Sequence, residues 1–166
     1  MNDIQDVIDA ESMLAGEERD QKSDLRLWLR MLSATNLISA EIRRKLRQSF
    51  DVTLPQFDLL AQLEREPNGL RLGELSQRMM VTNGNVTGLV DKLVEHGFVN
   101  RESSPEDRRA TTVRMTKAGA SLFALMSKAH EGWMANLFSE VPHDVRKDLM
   151  QKLDVVKASV RRNSGR

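Results

Sequence analysis

The chain has 166 residues, the length of one domain, and its 25 lysines and arginines nearly balance its 24 aspartates and glutamates. It has no cysteine, which excludes thiol catalysis, disulfides and thiolate metal sites, and its three histidines are far apart in sequence. We therefore expect no metal or other cofactor. No segment has the character of a membrane span or a secretory signal, so we expect a soluble, cytoplasmic protein that does not bind membranes.

The first 22 residues differ from the rest of the chain in charge. They carry seven acidic side chains and two basic ones, whereas the other 144 residues carry 17 acidic and 23 basic ones. An acidic segment with few apolar residues does not bury enough surface to fold. The sequence therefore predicts a disordered acidic tail over residues 1–22, ahead of a mildly basic folded body.

Two helices are predicted at the start of the folded body. Ser23 and Asp24 give a capping signal for a long helix that ends near Phe50, since its apolar residues recur at helical spacing. Thr53 and Pro55 open the second helix, because proline is favoured in a first helical turn.

A tight turn separates the next two predicted helices. A short helix covers residues 72–80, and Thr82 or Asn83 caps the helix that follows. Gly97 ends that helix, at the position that favours a left-handed residue. The apolar residues of this helix have amphipathic spacing, and we predict that all of them face the core: Val86, Leu89, Val90, Leu93 and Val94.

A β-hairpin and two further helices complete the chain. A strand begins at Phe98, and alternation over residues 110–115 indicates a second strand. Thr116 caps a helix to about Ser139, and Pro142 lies in the first turn of the last helix. That last helix carries a near-heptad apolar seam: Val145, Leu149, Leu153, Val156 and Val160.

This order of elements is that of a winged helix-turn-helix. We predict a mainly α fold with a two-stranded β wing and a helical dimerisation layer from both chain ends. The expected divisions are an N-terminal dimerisation helix at residues 23–52, a DNA-binding module at 53–116 and C-terminal dimerisation helices at 117–166.

The helix that begins near Asn83 suits the major groove of DNA. Its first turn is small and polar; asparagine pairs with adenine, and threonine bonds base edges or phosphates. Arginines at the hairpin tip suit the minor groove. The candidate DNA-binding residues are Thr82, Asn83, Asn85, Thr87, Lys92, Asp107, Arg108 and Arg109.

A second function stays open, because residues 55–116 carry nine acidic and eight basic side chains and are not strongly basic. The alternative is a winged-helix dimer that acts as a protein-interaction module without DNA binding. An enzyme is not expected, since the sequence contains no phosphate-binding loop, nucleophile motif or metal-ligand spacing.

The wing region carries a family resemblance. S-P-E-D-R-R-A at 104–110 and V-R-M-T-K-A-G at 113–119 resemble the wing signature of the MarR family of bacterial regulators. L-G-E-L at 72–75 and the run 86–99 match the DNA-reading helices of that family. The resemblance covers residues from about 24 to 160 and implies an obligate homodimer with interlocked terminal helices, a repressor, and a small aromatic effector. Because such a dimer has two-fold symmetry, we expect its site on double-stranded DNA to be an inverted repeat. In that pattern Asp107 orients the wing and Arg109 enters the minor groove.

Three short segments, starting at Arg26, Thr53 and Asn83, are similar to a narrower group: repressors of aromatic-acid catabolism that release DNA on binding a hydroxycinnamoyl-type CoA thioester. Such a ligand needs an apolar slot for its aryl group and cations for its phosphates. The candidate effector-binding residues are Trp28, Arg26, Arg30, Met31, Arg43, Arg44, His130 and Trp133. The alternative is that the tryptophans belong to the core or dimer interface and the arginines to a solvated face.

Overall fold

The computed structural model describes residues 22–103 and 111–165. The chain divides into two compact units, the first ending at His130 and the second beginning at Glu131. The predicted tail up to residue 21 lies outside the described residues, and so do the wing-tip residues Asp107, Arg108 and Arg109.

Six helices and three short strands follow one another along the described chain. They are α1 (Ser23–Phe50), α2 (Leu54–Glu64), β1 (Leu70–Arg71), α3 (Leu72–Met79), α4 (Asn83–Glu95), β2 (Val99–Ser103), β3 (Thr111–Met115), α5 (Lys117–Leu137) and α6 (His143–Asn163). The predicted mainly α class with a β wing is confirmed. None of the helices within residues 22–103 and 111–165 has both the length and the apolar composition that crossing a membrane requires.

The first helix begins differently from its prediction, and the second as predicted. Lys22 occupies the N-cap position of α1 without a side-chain cap, so the predicted cap at Ser23–Asp24 is wrong. Helix α2 opens at Thr53 as predicted, where the Thr53 N–H donates to Gln56 Oε1 at 2.9 Å and the Gln56 N–H donates to Thr53 Oγ1 at 3.4 Å. This reciprocal capping box satisfies two N–H groups that the helix leaves free.

The wing sheet contains a strand that the sequence analysis did not predict. Its order is β1-β3-β2, with both pairs antiparallel. Leu70 of β1 pairs with Val113 of β3, and both side chains are buried. Two residues are too few to show a two-residue period, which is why β1 was missed.

The core of the first unit is formed by α2, α3, α4 and the sheet, together with residues of α1 and α5. Its fully buried side chains are Leu46, Leu59, Leu60, Leu63, Leu75, Leu93, Met126, Val86, Val90, Val99 and Val113. The prediction that every apolar residue of α4 faces this core is wrong for two of them. Val94 is 39 % exposed and Leu89 is only half-buried.

The second unit contains the end of α5 and all of α6. Helix α5 ends at Leu137, two residues before the predicted Ser139, and Pro142 is the N-cap of α6 rather than part of its first turn. No residue of α6 is buried among the described residues. Its apolar seam is therefore an uncovered surface of this chain.

Candidate DNA-binding interface

A tight turn fixes the start of α4 against the end of α3. Met80 adopts a left-handed conformation with φ of 55°. The backbone N–H groups of Met80 and Val81 donate to carbonyls of the last turn of α3 at 3.2 and 3.1 Å. Thr82 then caps α4 by accepting the Asn85 N–H at its hydroxyl oxygen, at 3.4 Å.

The predicted base-contacting residues divide into two groups on α4. The hydroxyl of Thr82 serves as the cap, and the Thr87 hydroxyl donates to the Asn83 carbonyl oxygen of the same helix at 2.9 Å. The side chains of Asn83 and Asn85 are exposed. Exposed amides at a helix N-terminus present donors and acceptors of the kind that read adenine in the major groove. Lys92 is exposed two turns further along.

Arg101 on β2 links the wing to α4. Its Nη1 lies 2.7 Å from an Asp91 carboxylate oxygen, and its Nη2 donates to the Thr87 carbonyl oxygen at 3.1 Å. Asp91 is exposed on α4, where an unpaired carboxylate would repel DNA phosphates. This contact was not predicted, because it joins different elements and leaves no local pattern in the sequence.

The root of the wing is held by hydrogen bonds around Thr116. Its N–H donates to the Phe98 carbonyl oxygen at 3.0 Å, and its hydroxyl donates to the Gly97 carbonyl oxygen at 2.7 Å. The same hydroxyl oxygen accepts the Gly119 N–H at 3.0 Å, which confirms the predicted cap of α5. A Cβ atom built at Gly119 would lie closer to the Phe98 carbonyl oxygen than the 3.0 Å that real Cβ atoms keep. Only glycine therefore fits where α5 crosses the start of β2.

The candidate effector residues on α1 are spread along the helix. Trp28 is 54 % exposed and Met31 is half-buried. Arg26 and Arg30 lie one turn apart near the start of α1, whereas Arg43 and Arg44 lie about 20 Å further along it. A single compact site on one copy of α1 does not include all four arginines.

Arg44 already has an acidic partner. Its Nη2 lies 2.6 Å from Glu41 Oε1, its Nε donates to Glu41 Oε2 at 2.8 Å, and its Nη1 donates to Gln48. The hydrogen bonds from Arg44 lower the pKa of the Glu41 carboxyl, and the same contact raises the pKa of Arg44. A phosphate would therefore compete with Glu41 for this guanidinium.

The structure places His130 against aromatic rings that the sequence analysis did not name. The ring centroids of His130 and Phe57 are 5.2 Å apart, and those of Phe57 and Phe123 are 5.5 Å apart. Partial burial raises the pKa of the neighbouring Asp58 carboxyl, and the charge of His130 opposes that shift. Trp133 is half-buried on the part of α5 that belongs to the second unit. The described ranges hold no group of three histidine and acidic side chains that would suit a metal ion.

Comparisons with known proteins show which family shares this sequence. The MarR family model matches residues 52–111, from the start of α2 to the start of β3. The HTH-type transcriptional regulator YfiV of Bacillus subtilis is 31 % identical over 121 residues, which cover 72 % of this chain and 71 % of YfiV. The chain belongs to the MarR family. As a member, it is a DNA-binding transcriptional regulator and not an enzyme.

Solved MarR-family structures share its fold. A MarR family transcriptional regulator from Silicibacter pomeroyi is 33 % identical, with a TM-score of 0.75, and the match covers 87 % of this chain and 99 % of that one. CouR from Rhodococcus jostii RHA1, solved bound to p-coumaroyl-CoA, is 18 % identical with a TM-score of 0.66, over 78 % of this chain and 90 % of CouR. The likeness to CouR extends to the fold alone.

Proposed function

We propose that this MarR-family chain is a homodimeric repressor that acts in the cytoplasm and binds an inverted repeat of double-stranded DNA. Residues 53–116 form the DNA-binding module, and residues 23–52 and 117–166 supply the dimerisation helices. The first turn of α4 enters the major groove through Asn83 and Asn85, with Lys92 at a phosphate. Arg108 and Arg109 of the wing reach the minor groove, and Asp107 orients the wing.

The observation that carries the DNA half of this proposal is the division of α4 into two faces. Val86, Val90 and Leu93 are buried, while Asn83 and Asn85 are exposed at the end where the N–H groups of the helix point outward. Such an end attracts phosphate and presents amides to base edges.

The uncovered apolar surfaces support the dimer. Helix α1 exposes Leu25, Leu27, Trp28 and Leu37, and α6 exposes Val145, Leu149, Met150, Leu153, Val155 and Val160. Apolar surfaces of this extent on a monomer mark interaction sites. A second copy related by a two-fold axis covers both and sets the two α4 helices one DNA turn, ~34 Å, apart.

DNA binding is tested with Asn85→Ala and Arg109→Ala in gel shifts at one fixed salt concentration, on the upstream region of the protein's own gene and on random DNA. Asn85→Ala is expected to reduce the free-energy difference between the preferred base pair and the others by about 1–3 kcal/mol at one position of the site, because a bidentate amide contact is lost. Arg109→Ala is expected to weaken binding without changing the melting temperature. Equal losses for Asn85→Ala on both DNAs would make Asn85 a phosphate contact, and an intact protein that binds neither DNA would refute the proposal.

The effector half of the proposal is an aromatic acid carried as its CoA thioester. Trp28, His130 and Trp133 serve its aryl end, with Met31, and Arg26, Arg30, Arg43 or Arg44 serves its phosphates. The ligand releases DNA by binding one dimer geometry better than the other.

Calorimetric titration with matched pairs of hydroxycinnamic acids and their CoA thioesters tests this half. The thioester is expected to bind at least about tenfold more tightly, since charge-assisted bonds to its phosphates are absent for the acid. Arg30→Gln is expected to reduce the difference in affinity between the thioester and the acid. Lys152→Gln on α6 removes one positive charge elsewhere and is the control, which is expected to leave that difference unchanged. Equal binding of the acid and the thioester would refute the role of the arginines.

A further inference from the structure

A shallow groove of about 400 Å³ lies on the outward side of α4. The backbone of α4 at Gly84 and Gly88 lines it, together with three apolar side chains, Pro55, Val81 and Leu89. The polar residues Asn85 and Lys92 complete its lining. The groove therefore adjoins the amide to which the proposed function assigns adenine recognition.

The two glycines face open space within the described part of the chain. No atom of the described residues lies within 4 Å of a Cβ built at Gly84 or Gly88, and neither has a positive φ. Glycine inside a helix lowers stability relative to alanine. The space above these glycines leaves the α4 backbone open to a group that approaches from outside.

The apolar residues of the groove indicate the chemistry of that group. Val81 and Leu89 both keep part of their surface accessible although they lie beside the polar first turn of α4. The apolar group on the major-groove edge of DNA is the 5-methyl of thymine. Adenine, which asparagine reads, pairs with thymine, so Asn85 and the groove select the same kind of base pair.

The geometry points to this groove as a seat for thymine 5-methyl groups, so that the chain selects half-sites with thymine beside the adenine read by Asn85. This inference rests on the proposed DNA binding. Gly84 and Gly88 let the methyl group approach the α4 backbone, while Pro55, Val81 and Leu89 remove it from water. Lys92 pairs with a neighbouring phosphate.

Uracil substitution tests the seat directly, because uracil lacks only the methyl group and keeps every hydrogen bond of thymine. Duplexes that bind the full chain are first selected from a random library, and each thymine of the enriched half-site is then replaced by uracil. Affinity is expected to fall about fourfold for each seated methyl group. Enriched half-sites without thymine, or no loss at any position, would overturn the inference.

The variant Gly88→Ala separates binding from folding. Its melting temperature is expected to rise by about 1–4 °C, because alanine favours the helix. Its affinity for the thymine duplex is expected to fall about tenfold, because the new methyl group fills the seat, and the uracil penalty is expected to disappear. The control Gly73→Ala, in equally open space on α3, is expected to keep the uracil penalty.

The two proposals fail in different ways. If the library yields no enriched duplex, the proposed DNA-binding function fails together with this inference. If a duplex is enriched but Gly88→Ala binds it with unchanged affinity and an unchanged uracil penalty, only the thymine seat is refuted.

Discussion

Replacing Gly119 by alanine is expected to lower the free energy of unfolding by about 2–3 kcal/mol, at the upper end of the cost of overpacking. The added Cβ would overlap the Phe98 carbonyl oxygen, which accepts the Thr116 N–H. Backbone cannot rotate away as a side chain does, so either α5 or the start of β2 has to shift. Chemical denaturation followed by circular dichroism measures the loss.

The matched control for this variant is Gly73→Ala on α3. A Cβ built at Gly73 meets no atom of the described residues within 4 Å, so alanine there is expected to leave stability unchanged or raise it by up to about 1 kcal/mol. If the Gly119→Ala protein is as stable as this control, the backbone where α5 meets the start of β2 shifts at little cost in free energy, and the prediction is wrong.

Replacing Leu149 by glutamate is expected to convert the proposed dimer into a monomer at micromolar concentration. Leu149 is 51 % exposed and belongs to the α6 seam. A carboxylate buried against a second apolar seam costs several kcal/mol. A monomer binds each half-site without the help of a linked partner. Its affinity for a full inverted repeat is therefore expected to fall about 100-fold or more. Light scattering and gel shifts measure the two effects.

Gln151→Glu provides the control for the dimer variant, because it adds a negative charge on the opposite side of α6. It is expected to leave both the mass in solution and the DNA affinity unchanged. If Leu149→Glu remains a dimer, the α6 seam is not the interface. If it becomes a monomer that binds the full site as tightly as before, the proposed two-fold arrangement on DNA is wrong.

Local patterns were enough to predict most of the helical framework. The starts of three helices, at Thr53, Thr82 and Thr116, depend on side chains within a few residues of the backbone they bind. The same holds for the exposed amides of Asn83 and Asn85, whose accessibility follows from the amphipathic spacing of α4.

Contacts between distant segments were not predictable. The pairing of Leu70 with Val113 and the bond from Arg101 to Asp91 depend on where the chain returns in space. The need for glycine at position 119 likewise comes from a backbone atom 21 positions earlier in the sequence. The exposure of Leu89 and Val94 depends on how far the neighbouring elements extend over α4. The helical period predicts the side of α4 on which a residue lies but not how much of that side is covered.

The left-handed turn at Met80 has a mechanical consequence for regulation. Two backbone hydrogen bonds close this turn, so α3 and α4 are joined by a stiff corner rather than a flexible linker. A ligand bound elsewhere therefore does not change the angle between these helices at small cost. In the proposed dimer, the signal therefore travels as a displacement of the whole corner relative to its copy. Under that proposal, the regulator responds to a change in the distance between the two corners, set against the fixed pitch of the DNA.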